Sequence, residues 1–368
     1  MFPALQPLIE QIQDASVDAT PLCIRGGGTK DFYGEPPGGQ LLDTRSLHGV
    51  VSYEPSELVV TVRAGTPLAE LEAVLAERGQ FLPFEPPHFG DGGTVGGMVA
   101  AGLAGPARAS VGSVRDYVLG AQMVNGRGEL LNFGGTVMKN VAGYDLSRVL
   151  AGSLGVLGLI TEVSLKVLPL APAEATLRFA CNQSDALGLL NRWGGEPLPL
   201  NASRWDDEAG GTLLLRLRGA VAAVDAACRQ LGGERVDPLL AASDWQACRD
   251  QHLPWFAARG EQALWRLSVP QTAPVLDLPS APLVEWHGAQ RWYLASPEAS
   301  STLRDAASAV GGHATLFIAS CAQPAGATGP FTSRFQPVSA VLLGVHRALK
   351  REFDPRGIFN PGRLYPGE

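Results

Sequence analysis

Short apolar runs separated by glycine and proline turns set the pattern of the first 170 residues. The runs are rich in β-branched side chains, which predicts strands at residues 22–25, 41–43, 50–53 and 58–63. A longer run at residues 157–168 predicts another strand, and Pro169 ends it. Residues 5–12 and 66–79 keep an apolar face with helical spacing, so both segments are predicted helices. The turn at residues 125–128, Asn-Gly-Arg-Gly, predicts a hairpin.

After Pro169, strand and helix patterns alternate. Strands are predicted at residues 176–181, 212–217, 264–269, 291–294 and 314–318, and helices at residues 185–193, 221–231 and 298–310. This series of strand–helix units indicates a ferredoxin-like α+β sheet. The stretch around Trp245 and Trp255 is less regular, and these two residues, with Trp286, are interface candidates because of their polar neighbours. A final helix at residues 338–350 precedes a polar turn.

Composition narrows the class of protein. The 368 residues are 45% hydrophobic and 18% charged, which is typical of a globular protein with two domains. A net charge of −7 argues against a nucleic-acid partner. Five scattered cysteines without a Cys-x-x-Cys pair argue against an iron–sulfur or all-cysteine zinc site and favour a reducing compartment. Residues 1–14 lack a basic secretory n-region, and no apolar run approaches the ~18 residues of a membrane span.

Two glycine-rich loops carry the candidate chemistry. Arg25-Gly-Gly-Gly-Thr-Lys30 follows a predicted strand, and such a loop can point consecutive N–H groups at one anion, although a plain turn is the alternative. Thr94-Val95-Gly96-Gly97 opens a helix of small residues and predicts a second anion contact. Two such loops suit a pyrophosphate better than a single phosphate. The chain has neither a Walker A pattern nor a Gly-x-Gly-x-x-Gly fingerprint at a strand–helix junction, so the nucleotide-binding classes built on those motifs are disfavoured.

Together these motifs resemble the vanillyl-alcohol-oxidase family of FAD-binding proteins, also called the PCMH type. The matching segments are residues 25–29, 94–97, 112–116, 152–162 and 353–363. Residues 137–148, followed by Gly152-Ser153, are similar to the smaller of the FAD-binding subunits of bacterial glycolate oxidases. The resemblance implies an α+β fold with a PCMH-type FAD domain of two α+β subdomains at residues 1–170. It further implies a ferredoxin-like domain at 171–334 and a C-terminal helix and turn at 335–368 that returns to the FAD domain.

The resemblance also implies the cofactor and its contacts. FAD would be held at its pyrophosphate by the two loops, and elsewhere by a third glycine cluster and the C-terminal turn. The implied cofactor-binding residues are Arg25, Gly26, Gly27, Gly28, Thr29, Lys30, Thr94, Val95, Gly96, Gly97, Gly112, Ser113, Asp116, Gly152, Ser153, Gly158, Ile160 and Asn360. Thr29 stands where covalent relatives place histidine, and the second loop has no cysteine, so the expected FAD is non-covalent. His88, in the proline-rich loop, is expected to be a solvated loop residue.

Departures from the family bear on mechanism. Hydroxyacid dehydrogenases of this fold carry a histidine-rich metal motif, whereas the corresponding segment here keeps only His313. A metal site needs several convergent ligands, so none is predicted, and His313 is expected to begin a strand. No catalytic residue is assigned. The polar cluster of Lys139, Tyr144, Asp145 and Arg148 has two open interpretations, a flavin or interface contact and a helix cap with exposed charges.

Three functional hypotheses follow from the resemblance. The first is an FAD-binding component of a complex that oxidises glycolate to glyoxylate, with a second, larger FAD subunit and an iron–sulfur subunit as partners. The second is a stand-alone FAD-dependent oxidase or dehydrogenase of a small 2-hydroxyacid. The third is an assembly protein whose FAD is redox-silent. The expected location is cytoplasmic, peripheral to the inner face of the membrane through the partners.

Overall fold

The computed structural model describes residues 2–135, 146–320 and 333–365. Within them, the strands are β1 Leu22–Arg25, β2 Gln40–Asp43, β3 Val50–Glu54, β4 Val59–Arg63, β5 Gln80–Phe81, β6 Val118–Val124, β7 Leu130–Gly134, β8 Leu159–Lys166, β9 Leu168–Pro169, β10 Ala173–Ala180, β11 Leu200–Asp206, β12 Thr212–Gly219, β13 Glu234–Arg235, β14 Ala263–Ser268, β15 Leu283–Glu285, β16 Gln290–Ala295 and β17 His313–Ile318. The α-helices are α1 Gln6–Asp18, α2 Leu68–Ala76, α3 Val95–Ala101, α4 Arg108–Val111, α5 Val114–Tyr117, α6 Leu146–Val149, α7 Gln183–Gly194, α8 Val221–Leu231, α9 Pro238–Arg249, α10 Pro254–Ala257, α11 Ser300–Ala309 and α12 Ala340–Phe353.

The chain divides into two compact units. Unit 1 comprises Met1–Leu103, Ser113–Leu170 and Pro337–Glu368, and unit 2 comprises Ala104–Gly112 and Ala171–Gln336. Each unit has its own sheet and its own apolar core. None of the described helices is long and apolar enough to cross a membrane.

Unit 1 is built on a five-stranded antiparallel sheet in the order β3-β4-β8-β6-β7. The hairpin predicted at residues 125–128 joins β6 to β7 and is confirmed. A separate parallel pair, β1 with β2, lies over a core to which α1 contributes its apolar face. Leu22 of β1 and Phe359 of the C-terminal turn are fully buried in that core, so the chain end is part of the unit.

A buried ion pair holds the C-terminal turn of unit 1. Lys350 Nζ lies 2.6 Å from Asp354 Oδ2 and also donates to the carbonyls of Val156 and Phe359. The Asp354 carboxylate accepts the N–H groups of Ile358 and Phe359. Because both charges are buried and hydrogen-bonded to the backbone around them, the pair fixes the path of residues 354–359.

Unit 2 is an eight-stranded antiparallel sheet made of two ferredoxin-like halves. Its order is β13-β10-β12-β11-β15-β16-β14-β17. Numbering the strands of each half in chain order gives 4-1-3-2 for the first half and 2-3-1-4 for the second, which is the same order read backwards. The ferredoxin-like prediction is confirmed, and the sheet contains the pattern twice.

Two expectations for unit 2 are wrong. The irregular stretch near Trp245 is helix α9, which the sequence pattern did not indicate because its leucines at positions 239 and 240 are exposed while Trp245 is buried. Trp245 and Trp286 are not surface interface residues. Each is buried, and their indole N–H groups donate to Thr176 Oγ1 and to the Gly105 carbonyl respectively.

Candidate functional site

The first glycine loop leaves a row of backbone donors unused. It begins where β1 ends at Arg25, beside the parallel strand β2. The N–H groups of Gly26, Gly27, Gly28 and Thr29 donate no hydrogen bond to any described residue. Four consecutive N–H donors without an acceptor among the described residues are available to an anion in this loop.

Glycine is required in this loop because of close backbone approach. A Cβ on Gly27 would lie 1.7 Å from the carbonyl oxygen of Gly92, and a Cβ on Gly26 would lie 2.2 Å from Thr94 Oγ1. Gly28 has a φ of +71°, which other residues rarely adopt. The structure therefore brings the first loop into contact with the residues that precede and begin the second loop.

The second loop is built differently from the prediction that its N–H groups are free. Thr94 caps α3, and its Oγ1 accepts the N–H of Gly97 at 3.2 Å. The N–H of Val95 donates to the Thr66 carbonyl, and that of Gly96 donates to the Ala64 carbonyl. The first N–H groups of α3 are thus hydrogen-bonded within the chain. The start of α3 lines the pocket but offers these N–H groups to no ligand.

One pocket gathers the first loop, the start of α3 and the C-terminal turn. Six of its lining residues form the predicted loop, and Thr94, Gly97 and Asn360 also contribute. The remaining lining residues, which the sequence analysis did not assign, are Cys23, Ile24, Asp31, Pro37, Ala100, Ala101, Leu154 and Arg363. Burial, and secondarily the Asp31 carboxylate, raises the pKa of the Cys23 thiol, so this lining thiol is neutral at physiological pH.

Side chains outside the loop hold its shape. Arg25 Nε pairs with Asp31 Oδ2 at 2.7 Å and closes the loop at its mouth. Asn360 accepts the N–H of Ile24 at 2.8 Å and donates to the Leu154 carbonyl at 2.7 Å. Arg363 donates to the carbonyls of residues 30, 31 and 35. The C-terminal turn motif was the sequence signal for Asn360, and it could also have indicated Arg363.

The other predicted site residues lie elsewhere. Gly152 and Ser153 line a second cavity of unit 1 together with His346, and a Cβ on Gly158 would lie 2.2 Å from Met123 Cε. Ile160 is buried in β8.

The predicted residues around position 112 divide between the units. Gly112 belongs to unit 2, whereas Ser113 and Asp116 form a capping box at the start of α5 in unit 1. Residues 137–145, which include Lys139, Tyr144 and Asp145, lie outside the described residues.

Two histidine predictions can be compared with the structure. His313 begins β17, as expected. His88 is not a solvated loop residue, because its Nε2 lies 2.9 Å from the Glu72 carboxylate and its side chain is only 25% exposed. Within the described ranges, no three histidine, cysteine, aspartate or glutamate side chains converge as metal ligands.

Comparison with known proteins agrees with this geometry. Residues 6–134 match the family model described as "FAD binding domain". The chain is similar in fold to solved structures of alkyldihydroxyacetonephosphate synthase, with a TM-score of 0.68 and 16% identity, covering 97% of this chain and 74% of that one. The unused amides of residues 26–29, which line the pocket, fit the diphosphate of FAD. Fold and site together define an FAD-dependent oxidoreductase of the PCMH type.

One relative that matches over nearly its full length identifies the family of this chain. The chain is 48% identical to glycolate oxidase subunit GlcE of Escherichia coli over 98% of its own length and 97% of that protein. It is 32% identical to glycolate oxidase subunit GlcD of Bacillus subtilis, over 45% of this chain and 36% of that protein. A mitochondrial D-lactate dehydrogenase of Arabidopsis thaliana is 30% identical over 45% of this chain and 30% of its own length. The chain belongs to the GlcE family of glycolate oxidase subunits.

Proposed function

We propose that this chain is the GlcE-type FAD-binding component of a glycolate oxidase complex that oxidises glycolate to glyoxylate. The partners would be a second FAD subunit of the GlcD type and an iron–sulfur subunit that receives the electrons. The complex would lie at the inner face of the cytoplasmic membrane through these partners. Full-length similarity to GlcE supports this assignment.

The single observation that carries the cofactor assignment is the row of unused amides at residues 26–29. These donors, with Lys30 in the pocket lining, would hold the FAD pyrophosphate without a covalent bond. The further contacts of the proposed site are the residues assigned above from the resemblance, with the FAD domain at 1–170, the ferredoxin-like domain at 171–334 and the returning C-terminal segment at 335–368. Bound FAD would accept a hydride or pass electrons onward, while the chain binds and orients it.

The test is to express the chain alone and together with the two partner subunits. We expect the purified chain to be yellow, to release FAD on denaturation, and to leave its flavin oxidised when glycolate is added. Glycolate-dependent dye reduction should require all three subunits. Rapid bleaching of the isolated chain by glycolate would instead establish the stand-alone hydroxyacid enzyme.

A matched variant separates a working flavin from a redox-silent one. The Gly27→Ala chain should assemble with the partners but lose FAD, because the methyl group has no room beside Gly92. We expect the complex containing it to lose most of its glycolate oxidation. Full activity without FAD in this chain would establish the assembly function in place of the proposed one.

A further inference from the structure

One face of the unit 2 sheet carries a polar cavity of about 470 Å³. Alternate residues of three neighbouring strands line it, because side chains two apart on a strand share a face. The intervening residues, Leu177, Trp205 and Leu213, belong to the apolar core on the opposite face. Helix α9 closes one side of the cavity through Leu240 and Asp244.

Negative charge exceeds positive charge in this acidic cavity. Arg204, with only 9% of its side chain exposed, lies 2.6 Å from Asp244 Oδ2 and 3.3 Å from Asp206 Oδ2. Arg178, the other lining cation, pairs with Glu234 at 3.2 Å. Glu208 adds a third lining carboxylate with no side-chain hydrogen bond to a described residue. The lining therefore holds three carboxylates against two arginines, and one of these arginines is paired with Glu234 outside the lining.

The ionisation of Asp206 agrees with that surplus. Burial raises the pKa of its carboxyl group, the carboxylates of Glu208 and Asp244 raise it further, and Arg204 only partly compensates. A cation placed in the cavity would relieve this repulsion.

An apolar ledge borders the acidic cavity. Leu239 and Leu240, in the first turn of α9, are 82% and 67% exposed. The backbone N–H groups of Leu239 and Leu240 donate to the Asp237 carboxylate, so the start of α9 does not present an anion site. Two adjacent exposed leucines beside excess negative charge suit an apolar side chain followed by a basic one.

We propose that the acidic cavity and the Leu239–Leu240 ledge form a docking site for a partner protein of the complex. The occupant is a segment whose lysine or arginine side chain enters the cavity while a neighbouring apolar side chain packs on the ledge. The argument for a different chain is charge complementarity, because a second copy of this acidic chain, with its net charge of −7, would add like charge. The identity of the partner rests on the proposed function.

The test measures the affinity of the purified FAD-loaded chain for the purified partner subunits at low and high NaCl. The double variant Leu239→Lys/Leu240→Lys should bind about tenfold more weakly or worse, because it removes the ledge and repels a cation. Glu208→Lys should also weaken binding and reduce its salt dependence. The matched controls are Val221→Lys, an exposed apolar position on α8, and Glu261→Lys, an exposed acid elsewhere in unit 2. Both controls should bind like the original chain.

FAD content and thermal unfolding check that each variant is folded. If the original chain binds the partners and the ledge and Glu208 variants bind equally well, the docking site is wrong while the proposed function stands. If the original chain binds neither partner subunit, both the proposed function and the docking site are wrong. Self-association of the original chain that is lost in the ledge variant would also overturn the inference, because the occupant would be a second copy.

Discussion

The first glycine loop of unit 1 and a buried carboxylate of unit 2 differ in how their polar groups are paired. Unit 1 leaves the amides of residues 26–29 without partners inside the described chain. Unit 2, by contrast, buries the carboxylate of Glu285 and pairs it within the unit. Its Glu285 carboxylate accepts hydrogen bonds from Cys248, Gln290 and Trp292, although burial raises its pKa. We therefore expect bound FAD to stabilise unit 1, whereas the Glu285 cluster of unit 2 is satisfied without a ligand.

The largest expected effect comes from unit 2. Arg291 is completely buried and donates to the carbonyls of Ala273, Pro274 and Gly288. Arg291→Met should lower the free energy of unfolding by about 3 to 5 kcal/mol, because three carbonyls, those of Ala273 and Gly288 being buried, lose their donor. Chemical denaturation measures the loss, and FAD affinity of the remaining folded protein should not change.

Arg229→Met, at an exposed position on α8, is the matched control for Arg291→Met and should cost little. A large loss of FAD affinity in Arg291→Met would break the contrast between the units.

The next largest effect is a loss of FAD affinity caused by a substitution in unit 1, and unit 2 should stay folded. Gly27→Ala places a methyl group 1.7 Å from the Gly92 carbonyl oxygen, so one of the two backbone segments must shift. We expect FAD affinity to fall about 100-fold, equivalent to about 3 kcal/mol of overpacking. Titration of the FAD-free chain with FAD, followed by flavin fluorescence, measures it.

Gly38→Ala is the control, because a Cβ there meets nothing within 4 Å and its φ is ordinary. Equal FAD affinity in Gly27→Ala and Gly38→Ala would show that close approach at residue 27 does not shape the cofactor site.

A pH effect should come from unit 2. Burial lowers the pKa of His287 to about 4, while its ring nitrogens contact Ser110 and Ser203. In the unfolded chain the pKa of His287 is near its ordinary value of 6.5. Between pH 6.5 and 4 the unfolded chain therefore binds a proton that the folded chain does not. The free energy of unfolding is unaffected by His287 above pH 6.5 and decreases as the pH falls towards 4. We expect a loss of about 3 kcal/mol over that window, measured by denaturation at several pH values.

His287→Gln should flatten this part of the pH profile while keeping a neutral polar side chain. An unchanged slope between pH 4 and 6.5 in the variant would assign the effect to other groups.

The sequence predicted the parts of the fold that follow local pattern. The hairpin after Val124 and most strands follow from composition and period. The two glycine loops indicated a pyrophosphate, and the FAD assignment followed from the resemblance of the combined motifs to a known family. Helix α9 was not predicted because tertiary contacts, and not its own apolar pattern, determine which of its residues are buried. Its leucines at positions 239 and 240 are exposed, whereas Trp245 is buried and donates to Thr176. The spacing of apolar residues therefore did not indicate a helix at residues 238–249.

The details of the site depended on contacts distant in sequence. Whether the amides of α3 are free is decided by the carbonyls of Ala64 and Thr66, which lie far back along the chain and reach them through the fold. Likewise, Arg363 reaches the carbonyls of the first loop from the other end of the protein. No local motif contains either fact, so only the three-dimensional arrangement assigns the donors to the first loop.

The smallest expected effect sharpens the comparison inside unit 1. Thr94→Ala removes the cap of α3 and should cost about 1 kcal/mol of stability, because the N–H of Gly97 loses its acceptor. If the amides of residues 26–29 supply the donors, FAD affinity should change less than about threefold. Thr94→Ser keeps the oxygen and should restore stability. A tenfold or larger loss of FAD affinity in Thr94→Ala, with affinity recovered in Thr94→Ser, would make the Thr94 hydroxyl a direct cofactor contact. Unit 1 would then rely on its ligand at both loops, rather than at the first loop alone.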